Sequence, residues 1–322
     1  MSLATDVREL QRLLDSLRHA GNRQYKTQLR YVHDALTKSP RFRAVFEVLA
    51  AETAGFEVDD WVQKRVLEAR QTCHEWPEQE NQKLRVLRRL LEVGAIQENL
   101  NPTAVGRQFE YSDSLDDWAQ AFTRHVVAPL IAYLEASLND GQDVPHKLER
   151  MRRQVEWFEQ EKLYEQFRAD TGRGEALYDR RVREFLFAEG IDYPYSGPTS
   201  PSGRADVVGG LDGDDPLVCE IKLYDAGDYG VPYLRQGVVQ ALRYARDYGK
   251  AVAHLVVFNV SDERIQLPSD EPTSVTPPRL QVEGVTLFMV VVQAKPLPPA
   301  SKDRNRQVRE IQRDQLAPPT DG

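Results

Sequence analysis

The chain has 322 residues, with 42 Lys and Arg against 50 Asp and Glu for a net charge of −8, 41% hydrophobic residues and two cysteines. The hydrophobic fraction excludes disorder over most of the length, and at roughly 100–200 residues per domain the length predicts two domains. No apolar run approaches the ~18 residues of a membrane span, and residues 1–6 lack a signal-peptide pattern. Cys73 and Cys219 make neither a disulfide framework nor a zinc knuckle. The expectation is a cytoplasmic protein that does not enter a membrane. An acidic balance argues against a basic coat that binds nucleic acid at random, but it leaves room for an enzyme that holds phosphates through divalent cations and local basic patches.

From residue 1 to about 170, helix follows helix. Val7, Leu10, Leu13, Leu14 and Leu17 recur at helical spacing, with a stop at 19–22. Tyr31, Val32, Ala35 and Leu36 continue the pattern, and Pro40 opens the next helix. Leu84, Leu87, Leu90 and Leu91 form a further stripe, flanked by Lys83, Arg85, Arg88 and Arg89. Trp118, Phe122, Val126, Leu130 and Leu134 form a longer one, in which Pro129 predicts a kink or a break. Residues 147–168 read as a charged helix with Val155, Phe158 and Leu163 as apolar contacts. No fixed-period repeat is present, so a regular solenoid is not expected. This half is assigned as a helical domain, 1–170.

The pattern changes after 171–174. An amphipathic helix over 175–189 precedes β-rich runs at 203–208, 217–223, 252–260 and 285–292, with a helix over 233–248 between the second and third. All-helical sequence followed by helices mixed with strands predicts an α+β chain whose second half, 171–293, is an α/β layer structure around one mixed sheet. Residues 294–322, Pro-rich and charged, read as a mobile tail with a helix between 304 and 315.

The chemistry concentrates at 203–223. Strand parity puts Glu220 and Lys222 on one face and Cys219 and Ile221 on the other, and pairing across the Asp/Gly-rich turn brings Asp206 beside Glu220. Two carboxylates side by side on an otherwise apolar strand pair need a counter-charge. Mg²⁺ (or Mn²⁺) supplies one, with Asp206 and Glu220 as ligands and the Ile221 carbonyl as a third. Lys222 then faces the metal-bound water and the charge developing on a phosphate. This is machinery for attacking a phosphodiester.

These residues resemble the PD-(D/E)xK nuclease superfamily, the restriction-endonuclease-like fold. Asp206 matches the first acid and Glu220-Ile221-Lys222 the E-x-K, while Ala205 stands where the family name has proline. Gln240-Ala241-Leu242-Arg243-Tyr244 has the Q-x-x-x-Y spacing of the RecB-like branch. The resemblance implies that this helix packs beside the strand pair, that Gln240 assists catalysis, and that Tyr244 and Arg243 approach the substrate backbone. It also implies an acid on the first helix; Asp179 ranks first, Glu175 second and Glu184 third. The match covers 174–292. It implies a Mg²⁺-dependent nuclease, with DNA ahead of RNA as the nucleic-acid partner and a homo-oligomer as the assembly that cuts a duplex. The helical half becomes a specificity, assembly or sensing module open to a partner or trigger protein, an arrangement similar to bacterial effectors of defence against phage or plasmid DNA.

Blander alternatives stand beside each feature. Glu220 and Lys222 alone are an ion pair, Gln240 and Tyr244 a helix-surface pair, and Asp179 a salt-bridge partner of Arg183. The basic groups Arg180, Arg181 and Arg183, Arg235 with Arg243 and Arg246, or Lys83 to Arg89, are balanced helix faces; of these, Arg243 and Arg246 gain weight from Gln240 on their helix. The histidines are scattered, His74 lacks a second zinc ligand, and Asp212, Asp214 and Asp215 are turn residues. The rival functions are a non-catalytic nucleic-acid-binding protein on a degenerate nuclease fold and an interaction scaffold.

Overall fold

A computed structural model of the chain describes residues 3–68, 76–97, 101–139, 143–191, 195–196, 199–200, 203–204, 207–209, 217–270, 277–297 and 308–316. Asp206, Cys73, His74 and the aspartates of 212–215 lie outside the described residues. The chain divides into two compact units, Met1–Asp143 and Val144–Gly322. The division falls well before the expected 170.

The first unit contains α1 (Leu3–Arg18), α2 (Asn22–Lys38), α3 (Pro40–Glu52), α4 (Val58–Val62), α5 (Glu80–Ile96), α6 (Pro102–Gly106), α7 (Leu115–Phe122) and α8 (Ala128–Asn139). Their apolar stripes, including Leu10, Leu17, Leu29, Leu87, Phe122 and Leu130, bury in one cluster. The starts are set by local chemistry. Ser39 accepts a hydrogen bond from the Phe42 amide ahead of Pro40, and Asn101 one from the Thr103 amide ahead of Pro102. At Pro129 the chain neither stops nor breaks: a π-helical turn, Thr123–Val127, leads directly into α8. The wider turn eases the clash of the proline ring with the preceding carbonyls and absorbs its missing donor.

The second unit opens with α9 (Val144–Gln154), a π turn (Val155–Glu159), α10 (Gln160–Ala169) and α11 (Gly174–Ala188). Short strands follow, β1 (Tyr195–Ser196), β2 (Thr199–Ser200), β3 (Gly203–Arg204) and β4 (Val207–Gly209), then β5 (Leu217–Tyr224) and α12 (Val231–Asp247). The rest comprises β6 (Val252–Asn259), β7 (Arg264–Gln266), β8 (Arg279–Val282), β9 (Val285–Gln293), β10 (Val308–Glu310) and α13 (Arg313–Leu316). The main sheet is mixed, in the order β1-β4-β5-β6-β9-β8. Strands β5, β6 and β9 are parallel, with α12 as the crossover between the first two, and β4 and β8 join antiparallel.

The central strands are buried on both faces, as parallel strands between helices must be. One face packs under α12, where Leu234, Val238 and Ala241 meet Leu255, Val257 and Met289. On the other, Leu148, Met151, Val182 and Leu186 of α9 and α11 meet Ile221, Leu223, Val256 and Val290. That second contact is why the unit begins at Val144: the 144–169 helices cover a sheet face. Phe158, expected as an apolar contact of this segment, is 80% exposed in the π turn.

The C-terminal segment also departs from expectation. Residues 308–310 pair in parallel with β7, and Ile311 and Leu316 bury their side chains in the cluster under α12. Burial of two aliphatic side chains anchors this stretch, which composition alone assigns to a tail. Helix is confined to Arg313–Leu316 within the described part. Among the described residues, no helix is long and apolar enough to cross a membrane.

Candidate active site

In β5, Leu217-Val218-Cys219-Glu220-Ile221-Lys222-Leu223-Tyr224, every residue but the first is buried. Alternation turns Cys219, Ile221 and Leu223 to the face covered by α9 and α11, and Val218 and Tyr224 to the face covered by α12. Glu220 and Lys222 share the parity of Val218 and Tyr224, so the charged pair lies on the α12 side. Their exposures are 1% and 5%. Lys222 Nζ donates to Glu220 Oε1 at 2.7 Å. Taking both charges out of water costs several kcal/mol per ion, by order of magnitude, before any mutual attraction offsets it. A leucine at either position would be the cheaper core residue.

The helix is shaped around the lysine. A Cβ on Gly237 would lie 2.6 Å from Lys222 Cγ, so only glycine lets α12 approach the lysine stem. One turn earlier, the Tyr233 ring stands with its centroid 5.2 Å from Lys222 Nζ, within cation–π range. The Tyr233 hydroxyl donates to the Glu175 carboxylate in the first turn of α11. Tyr229 packs edge-on against Tyr233 at 4.9 Å. The β5–α12 loop holds this geometry: Asp225 accepts from the amides of Gly227 at 2.7 Å and Tyr229 at 2.9 Å, with Ala226 in the left-handed region at φ 64°. Contacts therefore run from Glu220 to Lys222 as an ion pair, from Lys222 to the Tyr233 ring face, and from the Tyr233 hydroxyl to Glu175.

The first-helix acids separate by position. The body of α11 packs on the face opposite Lys222, and its N-terminal turn is the part that reaches Tyr233. Glu175 occupies that turn. Asp179 lies one turn further on and pairs with Arg183 at 2.9 Å; its Oδ1 is buried with no hydrogen-bond partner among the described residues. Glu184 pairs with Arg180 on the exposed side. The structure thus joins Glu175 to the lysine and leaves Asp179 in its salt bridge.

On α12, Tyr233, Gly237, Gln240 and Tyr244 fall at i, i+4, i+7 and i+11 and form one stripe. Gln240 is half-buried one turn beyond the glycine notch and borders an open cavity together with Arg243. Tyr244 is 4% exposed and belongs to the core under α12. Other basic groups are engaged: Arg181 with Glu159, Arg246 with Glu283, Arg89 with Asp59 and Glu92. Arg88 lies over the Phe46 ring, and Arg85 bonds Thr53 Oγ1 at 3.0 Å.

Tyr233 and Gly237 escape a reading by motif. The signal available for them is the stripe itself, an aromatic and a glycine at helical spacing ahead of Gln240. For a cation, the α12 side of β5 offers oxygen donors, the Glu220 carboxylate and backbone carbonyls such as that of Ile221, with the Cys219 thiol on the opposite face. That donor type suits Mg²⁺ or Mn²⁺. Among the described residues no group of three or more His, Cys, Asp or Glu is placed to hold a metal ion. Comparisons with protein-family models, with curated proteins and with solved structures find no match.

Proposed function

We propose that the second unit is a metal-dependent phosphodiester hydrolase acting on nucleic acid, DNA ahead of RNA, with a restriction-endonuclease-like arrangement of its sheet. The observation that carries this reading is the Glu220–Lys222 pair, buried on a central strand and enclosed by a helix notched to receive the lysine. Costly buried charges with dedicated support concentrate at functional sites. In the first unit Arg41 is held by Asp6 and Asp143, which joins separate segments of the chain, whereas Glu220 and Lys222 pair within one strand, two residues apart.

The reading assigns Asp206 and Glu220, with the Ile221 carbonyl, as holders of Mg²⁺ or Mn²⁺. Asp206 lies outside the described residues and enters this reading from the sequence pattern alone. When bound, the cation polarises a phosphate oxygen and acidifies water. Lys222 supplies a fixed ammonium that orients the attacking water and stabilises charge building on the phosphate. Tyr233, held by Glu175, keeps that ammonium on its line of approach, and Gln240 stands one helical turn away for a substrate contact. One such site cuts one strand, so duplex cleavage calls for a homodimer or two events. The helical unit is the candidate for specificity or for a trigger partner, as in a defence effector.

Incubation of supercoiled plasmid with Mg²⁺ or Mn²⁺ tests the reading. Nicking or linearisation is expected, reduced by about 10² or more in Glu220→Gln and Lys222→Met. DNA binding by the wild type without cleavage in either metal would instead favour a binding protein with a structural ion pair.

A further inference from the structure

A second basic feature lies apart from the Glu220–Lys222 pair. A cavity of about 820 Å³ opens between the outward face of α12 and the β10–α13 segment. Arg235 and Arg243, two turns apart on α12, and Arg309 on β10 converge on it. None of the described residues lining it is an Asp or Glu. Arg309 has Glu263 at 3.6 Å, whereas Arg235 and Arg243 have no acidic partner among the described residues. Arg235 and Arg243 thus line the volume without a counter-charge, whereas neighbouring arginines of the same unit find acids. An anion that enters the cavity supplies that counter-charge.

The cavity is preformed. Its far wall is fixed by the buried side chains of Ile311 and Leu316 and by the Ile311 amide, which donates to the Gln266 carbonyl at 3.0 Å. Amides complement the arginines: Gln236 and Gln240 from α12, and Gln315, whose side-chain oxygen accepts from the Gln312 amide and leaves its NH₂ as a donor. Pro232 and Val239 add an apolar patch. The volume lies within the roughly 300–1,000 Å³ of small-ligand sites. Planar guanidinium forks match phosphate oxygens, side-chain amides match base edges, and the apolar patch suits a sugar or ring face.

We propose that this cavity is a binding site for a nucleotide phosphate, held by Arg235, Arg243 and Arg309. The ligand is either a free nucleotide or the end of a nucleic-acid strand, since both present the same group. The site shares Gln240 with the hydrolase reading but uses neither Glu220 nor Lys222, so it does not rest on that reading, and Arg235 and Arg309 have no part in it.

Titration of the full chain with ATP, a 5′-phosphorylated dinucleotide and a short 5′-phosphorylated single strand, followed by calorimetry, tests it. Binding of at least one probe is expected. Arg235→Glu and Arg309→Glu should each weaken binding by roughly tenfold or more, because charge-assisted contacts to phosphate are the strong ones, and Arg235→Glu, which breaks no ion pair among the described residues, should melt near wild type. Glu220→Gln should bind as the wild type does. Binding of ATP or the dinucleotide identifies a free nucleotide as the ligand; binding of the strand alone identifies a strand end. The proposal is overturned if no probe binds, if the arginine variants bind as tightly as wild type, or if Glu220→Gln loses binding to the same extent.

Discussion

At position 237 a methyl group would stand 2.6 Å from Lys222 Cγ, 3.2 Å from Lys222 Cε and 3.3 Å from Leu255 Cδ1. Gly237→Ala must therefore displace α12 or the lysine stem. Overpacking of this kind costs about 1–3 kcal/mol. A matching fall in the urea midpoint is expected, and an unchanged midpoint would show that the helix and the lysine are less tightly coupled than the contact implies. If the unit hydrolyses phosphodiesters, the same variant lowers kcat more than it raises KM, because the misplaced group acts on the reacting atoms. Tyr233→Phe offers a milder perturbation: the ring beside the ammonium stays, and the bond to Glu175 is removed.

At the scale of elements, Glu156 fastens the π turn between α9 and α10 to the end of β9. Its carboxylate accepts from the Gln293 amide at 2.9 Å and meets Arg152 at 3.3 Å. Burial pushes its carboxyl above the ordinary carboxylate range in spite of that hydrogen bond and the arginine. A raised folded-state value means that folding favours the protonated form. Stability from this source is full below the unfolded-state pKa and is lost as pH rises through the folded-state value. Glu156→Gln keeps an oxygen for the Gln293 amide and removes the titration. The variant should be more stable than wild type at neutral pH, with the difference vanishing near pH ~4 in urea titrations. A constant difference between the two pH values would contradict the assignment.

Elements with a strong period were readable from residues alone: α11, α12, β5, β6 and β9 lie within a few residues of the expected spans. The Glu220–Lys222 pair was also readable, because parity fixes the face of a strand side chain. The unread strands carry almost no pattern. β8 has two apolar residues in four, and β10, Val308-Arg309-Glu310, is exposed throughout. β8 is defined instead by its hairpin to β9, where Glu283 at φ 49° and Gly284 at φ 81° form the tight turn. Tyr244 shows a related limit: helical spacing puts it on the stripe of Gln240, but spacing does not tell that it is 4% exposed.

For the whole molecule, the boundary at 143/144 was hidden because the 144–169 helices are rich in charge and read like those before them. Their few apolar residues, Val144, Leu148, Met151, Val155 and Leu163, belong to the sheet of the second unit. A fragment beginning at Val144 should therefore melt cooperatively, whereas one beginning at 171 leaves a sheet face uncovered and should aggregate or lose its transition. Circular dichroism melts of the two fragments decide this; equal cooperativity would return the boundary to about 170.

A lysine in water samples many conformers, and fixing one forfeits about 2 kcal/mol of rotamer entropy. In this protein the loss is already incurred when the glycine of α12 seats on the strand. Whatever meets that ammonium encounters a group with nothing left to immobilise, and small shifts of one helix become changes in the aim of a single charge.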